Sequence, residues 1–262
     1  MIEMELDPFK RGRSGRIQNP PVVVPMVEEY LATHNGLTVT DKYADTLVRL
    51  TATPPRDRTG SFSASSRGGC ERAQVFQYLN HPQDNRPVDT TLQSVFLDGT
   101  WRHIRWQMLL LAAGEAMGSD VQVEVPFRRD DLRLRGSLDG IVDGRGFELK
   151  GTRAFQGARS RPFSAHTLQV HSYMVLADLD IFSVVYEDKA TQQTVEHVVK
   201  RTQSTIDKVM NEIGRLNTSI DTEILPEILS GCSGSTKSQQ WWDCAYRSSC
   251  GSQDFESAHN LA

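Results

Sequence analysis

The chain has 262 residues, of which 38% are hydrophobic and 24% charged, with a formal net charge of −4. That length can bury a substantial core, and it fits one large domain, or one with an appendage, better than two equal ones. The absence of any run of about 18 or more apolar residues argues against a membrane span, and the acidic balance does not announce a nucleic-acid partner.

The opening MIEMELDPFKRGRSGR has no apolar middle region of the secretory kind, so the chain is expected in a reducing cytoplasm, where disulfides are not expected. Residues 1–25 mix charge, Pro and Gly without period and read as a tail or arm. Residues 26–33 and 40–50 read as short helices, followed by a Pro/Gly/Ser-rich connection over 51–69. CERAQVFQYL, from Cys70, has helical spacing. Leu92, Val95, Phe96, Ile104, Met108, Leu109 and Leu111 recur at three and four residues, which predicts a long helix over 90–117 that begins afresh at Gly99. Three strand-like runs (121–127, 132–142 and 146–151) suggest an antiparallel meander. A helix over 165–179 with Ser164 as N-cap, strands over 180–188 and 193–200, and an amphipathic helix over 203–220 complete the pattern. Residues 251–262 read as a disordered tail.

Within the meander, GSLDGIVDGRGFELKGT carries two acids and a lysine where packing residues would serve. Asp143-Gly144 signals a two-residue turn, and that register puts Asp139 directly opposite Glu148, with Lys150 on the face of Glu148. Opposed carboxylates repel unless a cation sits between them. A Mg²⁺ or Mn²⁺ ion would supply that cation and could polarise a phosphoryl oxygen, while Lys150 acts on the attacking water or the developing charge. The plainer reading is a solvated strand face with Lys150 pairing one acid. Residues 127–161 hold nine basic residues against five acids, a positive segment in a negative chain.

Asp139 followed by Glu148-Leu149-Lys150 resembles the PD-(D/E)XK nuclease superfamily, with Leu138 where the name-giving Pro would stand. Three further elements resemble its RecB-like exonuclease branch, which includes the CRISPR-associated iron–sulfur nucleases and their phage relatives. They are Gly99-x-x-x-His103, Gln169-x-x-x-Tyr173, and the Ser-rich entry SSRGGCER with Cys70 and Arg72. The resemblance runs from about Ser65 to Cys250. It implies an α/β fold, a mixed central sheet flanked by helices, and metal held by His103, Asp139, Glu148 and the carbonyl of Leu149. Lys150 would be catalytic, and Gln169 and Tyr173 would face the site and position DNA. Glu124 and Glu115 are candidates for an outer carboxylate, and sheet-edge arginines would track the DNA backbone.

The four cysteines, Cys70, Cys232, Cys244 and Cys250, divide one before the core and three after it. In the iron–sulfur members such a set holds a [4Fe–4S] cluster that ties the C-terminal segment to the N-terminal helical part. The usual pattern has one more Cys with two residues between it and Cys244, where Trp241 stands, so Cys232 would have to reach the cluster across a Gly/Ser-rich loop. Zinc on the same thiolates is the alternative, and unlinked buried thiols the third reading.

The expectation is one nuclease domain over 26–250, made of a helical part (26–117), a catalytic core (118–220) and a Cys-bearing segment (221–250). It would degrade DNA from ends, single strands above all, in recombination, repair or phage DNA metabolism. A non-catalytic DNA-binding or adaptor module, and an endonuclease of the same superfamily, are the rival readings.

Overall fold

The computed structural model describes residues 20–37, 40–52, 59–84, 89–233, 238–251 and 254–260; residues 1–19 of the expected arm lie outside the described residues.

The meander forms as β2 (Val121–Arg129), β3 (Leu134–Val142) and β4 (Arg145–Thr152). Asp143 (φ +48°) and Gly144 (φ +75°) are both left-handed, as the tight primed hairpin turn requires, and the Asp143 carboxylate accepts from the Asp120 N–H at 2.9 Å. β5 (Ile181–Asp188) adds parallel to β4, and β6 (Thr194–Lys200) antiparallel to β5. A further strand, β1 (Phe62–Ser63), is only two residues long and lies inside the connection read as irregular.

The result is a six-stranded mixed sheet. β2 pairs with β3 along its length. The other edge of β3 is shared, by β1 at Leu134 and Arg135 and by β4 at Gly140 to Val142. Residues 136–139 of β3 therefore face a gap between two strands.

Helices cover both faces of the sheet. On one side α1 (Val23–Thr33) and α4 (Thr90–Met117) bury Val27, Trp106 and Leu110 against Phe147, Leu149 and Val185. On the other, α3 (Glu71–Tyr78), α6 (Ser164–Ala177) and α7 (Gln203–Thr222) pack on Leu134, Leu138, Phe182 and Val184. Each such fully buried side chain contributes about 1.5–3 kcal/mol relative to exposure. α2 (Asp41–Thr51) lies against α4 through Tyr43 and Leu50, which pack with Ile104 and Met108.

α4 starts where the Asp89 carboxylate accepts from the Leu92 N–H (2.8 Å) and stops at Gly118 (φ +73°). It runs unbroken through Gly99, against the expected restart. Hydrogen bonding continues there because a lone glycine costs a helix only about 1 kcal/mol. Ser164 is the first residue of α6 and Phe163 its cap, so the expected serine cap is not made.

Beyond the short α5 (Phe155–Ser160), the C-terminal segment carries α8 (Gln239–Asp243) and α9 (Phe255–Asn260). Ala258 is fully buried and its carbonyl accepts from His81 Nδ1 at 3.2 Å, so residues 254–260 are docked and not the expected disordered tail. Ala258 in the core and Phe255 packed against it account for the difference.

Candidate active site

β3 and β4 pair in the expected register at Gly140–Phe147, Ile141–Gly146 and Val142–Arg145, and then part. The next pair, Asp139 opposite Glu148, is not made. Asp139 instead turns its carboxylate into the gap, where Oδ2 accepts from the Leu149 N–H at 2.7 Å. The acids thus meet because the ladder opens and a side chain replaces a backbone acceptor, which corrects the expectation of direct cross-strand opposition.

The other edge of β3 is also interrupted here. Glu124, across from Asp139 on β2, has φ +50°, and the β2–β3 ladder skips that one pair. A left-handed non-glycine residue within a strand costs of order 1–3 kcal/mol and persists only when its surroundings hold it. Gln107 does so: its buried amide donates to Glu124 Oε2 (3.1 Å) and to the Asp139 carbonyl (3.0 Å).

His103, one helical turn before Gln107 on α4, places Nδ1 3.1 Å from Asp139 Oδ1. Glu148 is only 3% exposed. Its Oε1 accepts from Lys150 Nζ (2.6 Å) and from Gln169 Nε2 on α6 (2.8 Å). Its Oε2 is buried and makes no hydrogen bond. Gln169 Nε2 also lies 3.1 Å from Tyr173 Oη. Tyr173 is buried against Phe182 and adjoins the site through Gln169. The Leu149 side chain is fully buried beneath the site.

Charges here are strongly coupled. Burial, and then the charge of Asp139, push the Glu148 carboxyl up to about 7, against the pull of Lys150. Burial also opposes ionisation of Asp139, but the charge and hydrogen bond of His103 and the Leu149 N–H hold it below the usual value. For His103 burial acts downward, and Asp139 and Glu148 more than reverse it. Lys150 follows the same pattern, with Glu148 raising it against burial. One acid is held ionised and the other is destabilised as an anion, so a cation between them would relieve the second.

Among the described residues no three His, Cys, Asp or Glu stand together as a metal-holding group, and His103 and Asp139 bond each other. The donor set nonetheless fits a hard divalent ion: an imidazole and two carboxylates, one of which, Glu148, has a buried oxygen with no hydrogen-bond partner.

Two residues near the site carried no recognisable signal. His166, one turn before Gln169, sits 2.8 Å through Nδ1 from Tyr186 Oη, which itself accepts from the Phe163 N–H (2.9 Å). Burial, and then Lys150, push His166 down to about 4. Gln107 could have been found only by stepping one turn along α4 from His103.

Other expectations fall away from the site. Glu115 pairs with Lys42 (2.6 Å) and bonds Tyr43, near α2. Arg128, Arg129 and Arg133 are engaged by Asp130, Asp131 and Asp221, so these sheet-edge charges are already offset.

The four cysteines line a single small cavity of about 20 Å³, together with Phe76, Trp241 and Tyr246. All four are free thiols, each half-buried. Burial raises Cys70 and Cys250, and the neighbouring thiols raise them further. Arg72 ties the ends together, donating to the Cys250 carbonyl and the Pro226 carbonyl, both at 2.9 Å. The thiol gathering expected from the one-plus-three division is present, and its donor set fits a thiolate-bound group, although the sulfurs do not converge as ligands in this arrangement.

No family model matches the chain, and no curated protein does. Among solved structures, the alkaline exonuclease LHK-Exo of Laribacter hongkongensis is similar over 63% of this chain and 90% of its own, at 15% identity and a TM-score of 0.47. The protein SSO0001 is similar over 88% of this chain and 94% of its own, at 14% identity and a TM-score of 0.45. A phage-related exonuclease of Haemophilus somnus is similar over 62% and 94%, at 12% identity and a TM-score of 0.38.

Proposed function

We propose that this protein is a metal-dependent deoxyribonuclease of the PD-(D/E)XK type that removes nucleotides from DNA ends, single strands above all. The observation that carries the reading is the buried, unbonded Oε2 of Glu148 beside Asp139, with Lys150 on the other oxygen of the same carboxylate. A packing role accounts for neither the second acid nor the orphaned atom, since an unpaired buried carboxylate oxygen is costly.

Asp139, Glu148, His103 and the Leu149 carbonyl would hold Mg²⁺ or Mn²⁺. When bound, the ion supplies Lewis-acid polarisation of the phosphate and a lower pKa for the attacking water. Gln169 fixes one oxygen of Glu148 and so keeps the other directed inward. Lys150, kept protonated by the same acid, sets a positive charge where the phosphate gains negative charge in the transition state. Gln107 holds α4 to β3, which sets the spacing of His103 and Asp139. The cysteine cavity would take a [4Fe–4S] cluster or, on the same thiolates, zinc, joining α3 to the C-terminal segment. No described helix is long and apolar enough to cross a membrane. A cytoplasmic setting in DNA recombination, repair or phage replication accords with free thiols and a DNA substrate.

The direct His103–Asp139 bond favours one second reading, a DNA-binding or adaptor module that keeps the fold without the chemistry. Incubation of the protein with labelled linear and circular single-stranded DNA in Mn²⁺, with EDTA as control, separates the readings. Loss of the linear substrate alone, abolished by EDTA, is expected. Cutting of circles would mean an endonuclease, and binding of both forms without cutting would leave the adaptor.

A further inference from the structure

The arginines expected to track DNA at the sheet edge are occupied by acids, so the free positive charge of the strand region lies elsewhere. It lies just beyond the C-terminal ends of β4 and β5. Arg153 follows the last residue of β4, three positions after Lys150, and Lys189 follows the last residue of β5. No ion-pair partner for either lies among the described residues. The Lys189 N–H donates to the Thr152 carbonyl at 3.0 Å, which holds the two strand ends together. Gly151 keeps this crossing close: a Cβ there would lie 3.3 Å from Lys189 Cε and 2.9 Å from Arg102 Cδ.

These two cations form one wall of an open groove of about 510 Å³. The opposite wall is the exposed first part of α4, through Thr91, Ser94, Val95 and Asp98. Asp98, the one acid lining the groove, is paired with Arg102 at 3.1 Å, so its charge is offset. α4 continues from this wall directly to His103, and β4 runs back from Arg153 to Lys150, roughly 10 Å away along an extended chain. Both walls thus lead to the candidate active site, at the carboxyl ends of two parallel strands, where open α/β sheets tend to receive their ligands.

We infer that a single strand of DNA lies along this groove on its way to or from the scissile phosphate, with Arg153 and Lys189 on its phosphates and α4 flanking its bases. The inference rests on the nuclease reading for its substrate, and its test reads binding, not cleavage. A flexible polyanion suits the groove: one wall carries two cations, the far wall offers Val95 and hydroxyl groups, and no described acid remains unpaired within it.

The test measures the affinity of the full-length protein for a labelled single-stranded oligonucleotide across a salt series, in Ca²⁺ to hold off turnover. The double variant Arg153→Gln/Lys189→Gln is compared with Arg128→Gln/Arg129→Gln, whose arginines are already paired. Removing two phosphate contacts should flatten the slope of log affinity against log salt by about 1.4. At low salt the groove variant should bind at least about 10-fold more weakly. The edge variant should follow the wild type in both respects. Equal thermal unfolding of the three proteins shows that the groove variant is folded. A groove variant with the wild-type slope, or an edge variant that takes the loss instead, overturns the inference. Wild-type protein that shows the predicted slopes yet cleaves nothing in Mn²⁺ would remove the nuclease reading and leave the groove in place.

Discussion

The parting of β3 and β4 and the cysteine cavity both gather reactive side chains among the described residues, and they are built in opposite ways. At the strand gap most of the polar groups have a partner: Asp139 takes the Leu149 N–H, Lys150 and Gln169 take one oxygen of Glu148, and Gln107 bridges α4 to β3. The elements beneath are long strands and helices that would hold their shape without the polar cluster. At the cysteine cavity the walls are a helix start, two short helical turns and their loops, and the thiols themselves make few bonds. On the proposed reading, the first site owes its shape to the strands and helices beneath it, whereas the second would gain stability from a ligand on its thiols. Loss of a group at the gap should therefore change chemistry with little effect on folding, and loss of a thiol should do the reverse.

The largest effect is expected at the gap. Asp139→Asn removes the charge that faces Glu148 and His103, and single-turnover DNA cleavage should fall by about 10³-fold. Its circular dichroism should match the wild type. Cleavage within a fewfold of wild type would take Asp139 out of the mechanism. On the other side of the comparison, Cys250→Ala should leave the acids in place but release the C-terminal segment. Because binding energy at such a site is folding energy, a loss of about 3 kcal/mol, or roughly 6–12 °C in Tm, is expected together with loss of bound iron or zinc. An unchanged Tm and metal content would end the idea of a ligand-dependent clasp.

A smaller effect should blur the two classes. Gln107→Ala leaves the Glu124 carboxylate and the Asp139 carbonyl without their donor, at a cost of about 1–3 kcal/mol in stability. It also loosens His103 from Asp139, so cleavage should drop about 10-fold with the KM for DNA nearly unchanged. A variant that loses stability alone would show that Gln107 is only a structural tie.

The smallest effect is one of pH. His166 titrates near 4 in the folded chain against an ordinary value of 6.5, so between those values the unfolded chain binds more protons. Its contribution to stability is present above about pH 6.5 and is lost as pH falls toward 4. Allowing for its partial exposure, His166→Phe should remove about 1 kcal/mol of acid sensitivity. Denaturant midpoints at pH 7 and pH 4.5 check this, and equal pH dependence in both proteins would contradict it.

What the sequence disclosed follows the same division. Strand alternation has a period of two and the Asp-Gly turn fixes a register, so the Asp139, Glu148 and Lys150 neighbourhood could be read from a short stretch of chain. The opening of the ladder at Asp139 could not, because there a side-chain carboxylate takes the Leu149 N–H in place of a backbone carbonyl, and strand alternation does not register that exchange. Gln107 and His166 reach the site by helix phase from His103 and Gln169, and only folding shows which helix face turns inward. The cysteine grouping was legible as a division of four residues between two ends, since thiols are scarce and a shared site explains their placing. The docking of α9 was not, because one buried alanine and one half-buried phenylalanine leave no trace in composition. The pairing of the sheet-edge arginines was not legible either, because Asp130, Asp131 and Asp221 reach them through local turns and from α7, and net charge counts do not register pairing.

The most direct test of the account is the rate of phosphodiester hydrolysis by Lys150→Ala beside the wild type, with Mn²⁺ binding followed by calorimetry in the same samples. The account predicts that the variant still binds Mn²⁺, since the carboxylates remain, and that hydrolysis of linear single-stranded DNA falls by about 10²-fold or more. Hydrolysis at the wild-type rate by a variant that binds Mn²⁺ normally would contradict the assignment of Lys150, and with it the reading of this strand gap as the catalytic centre.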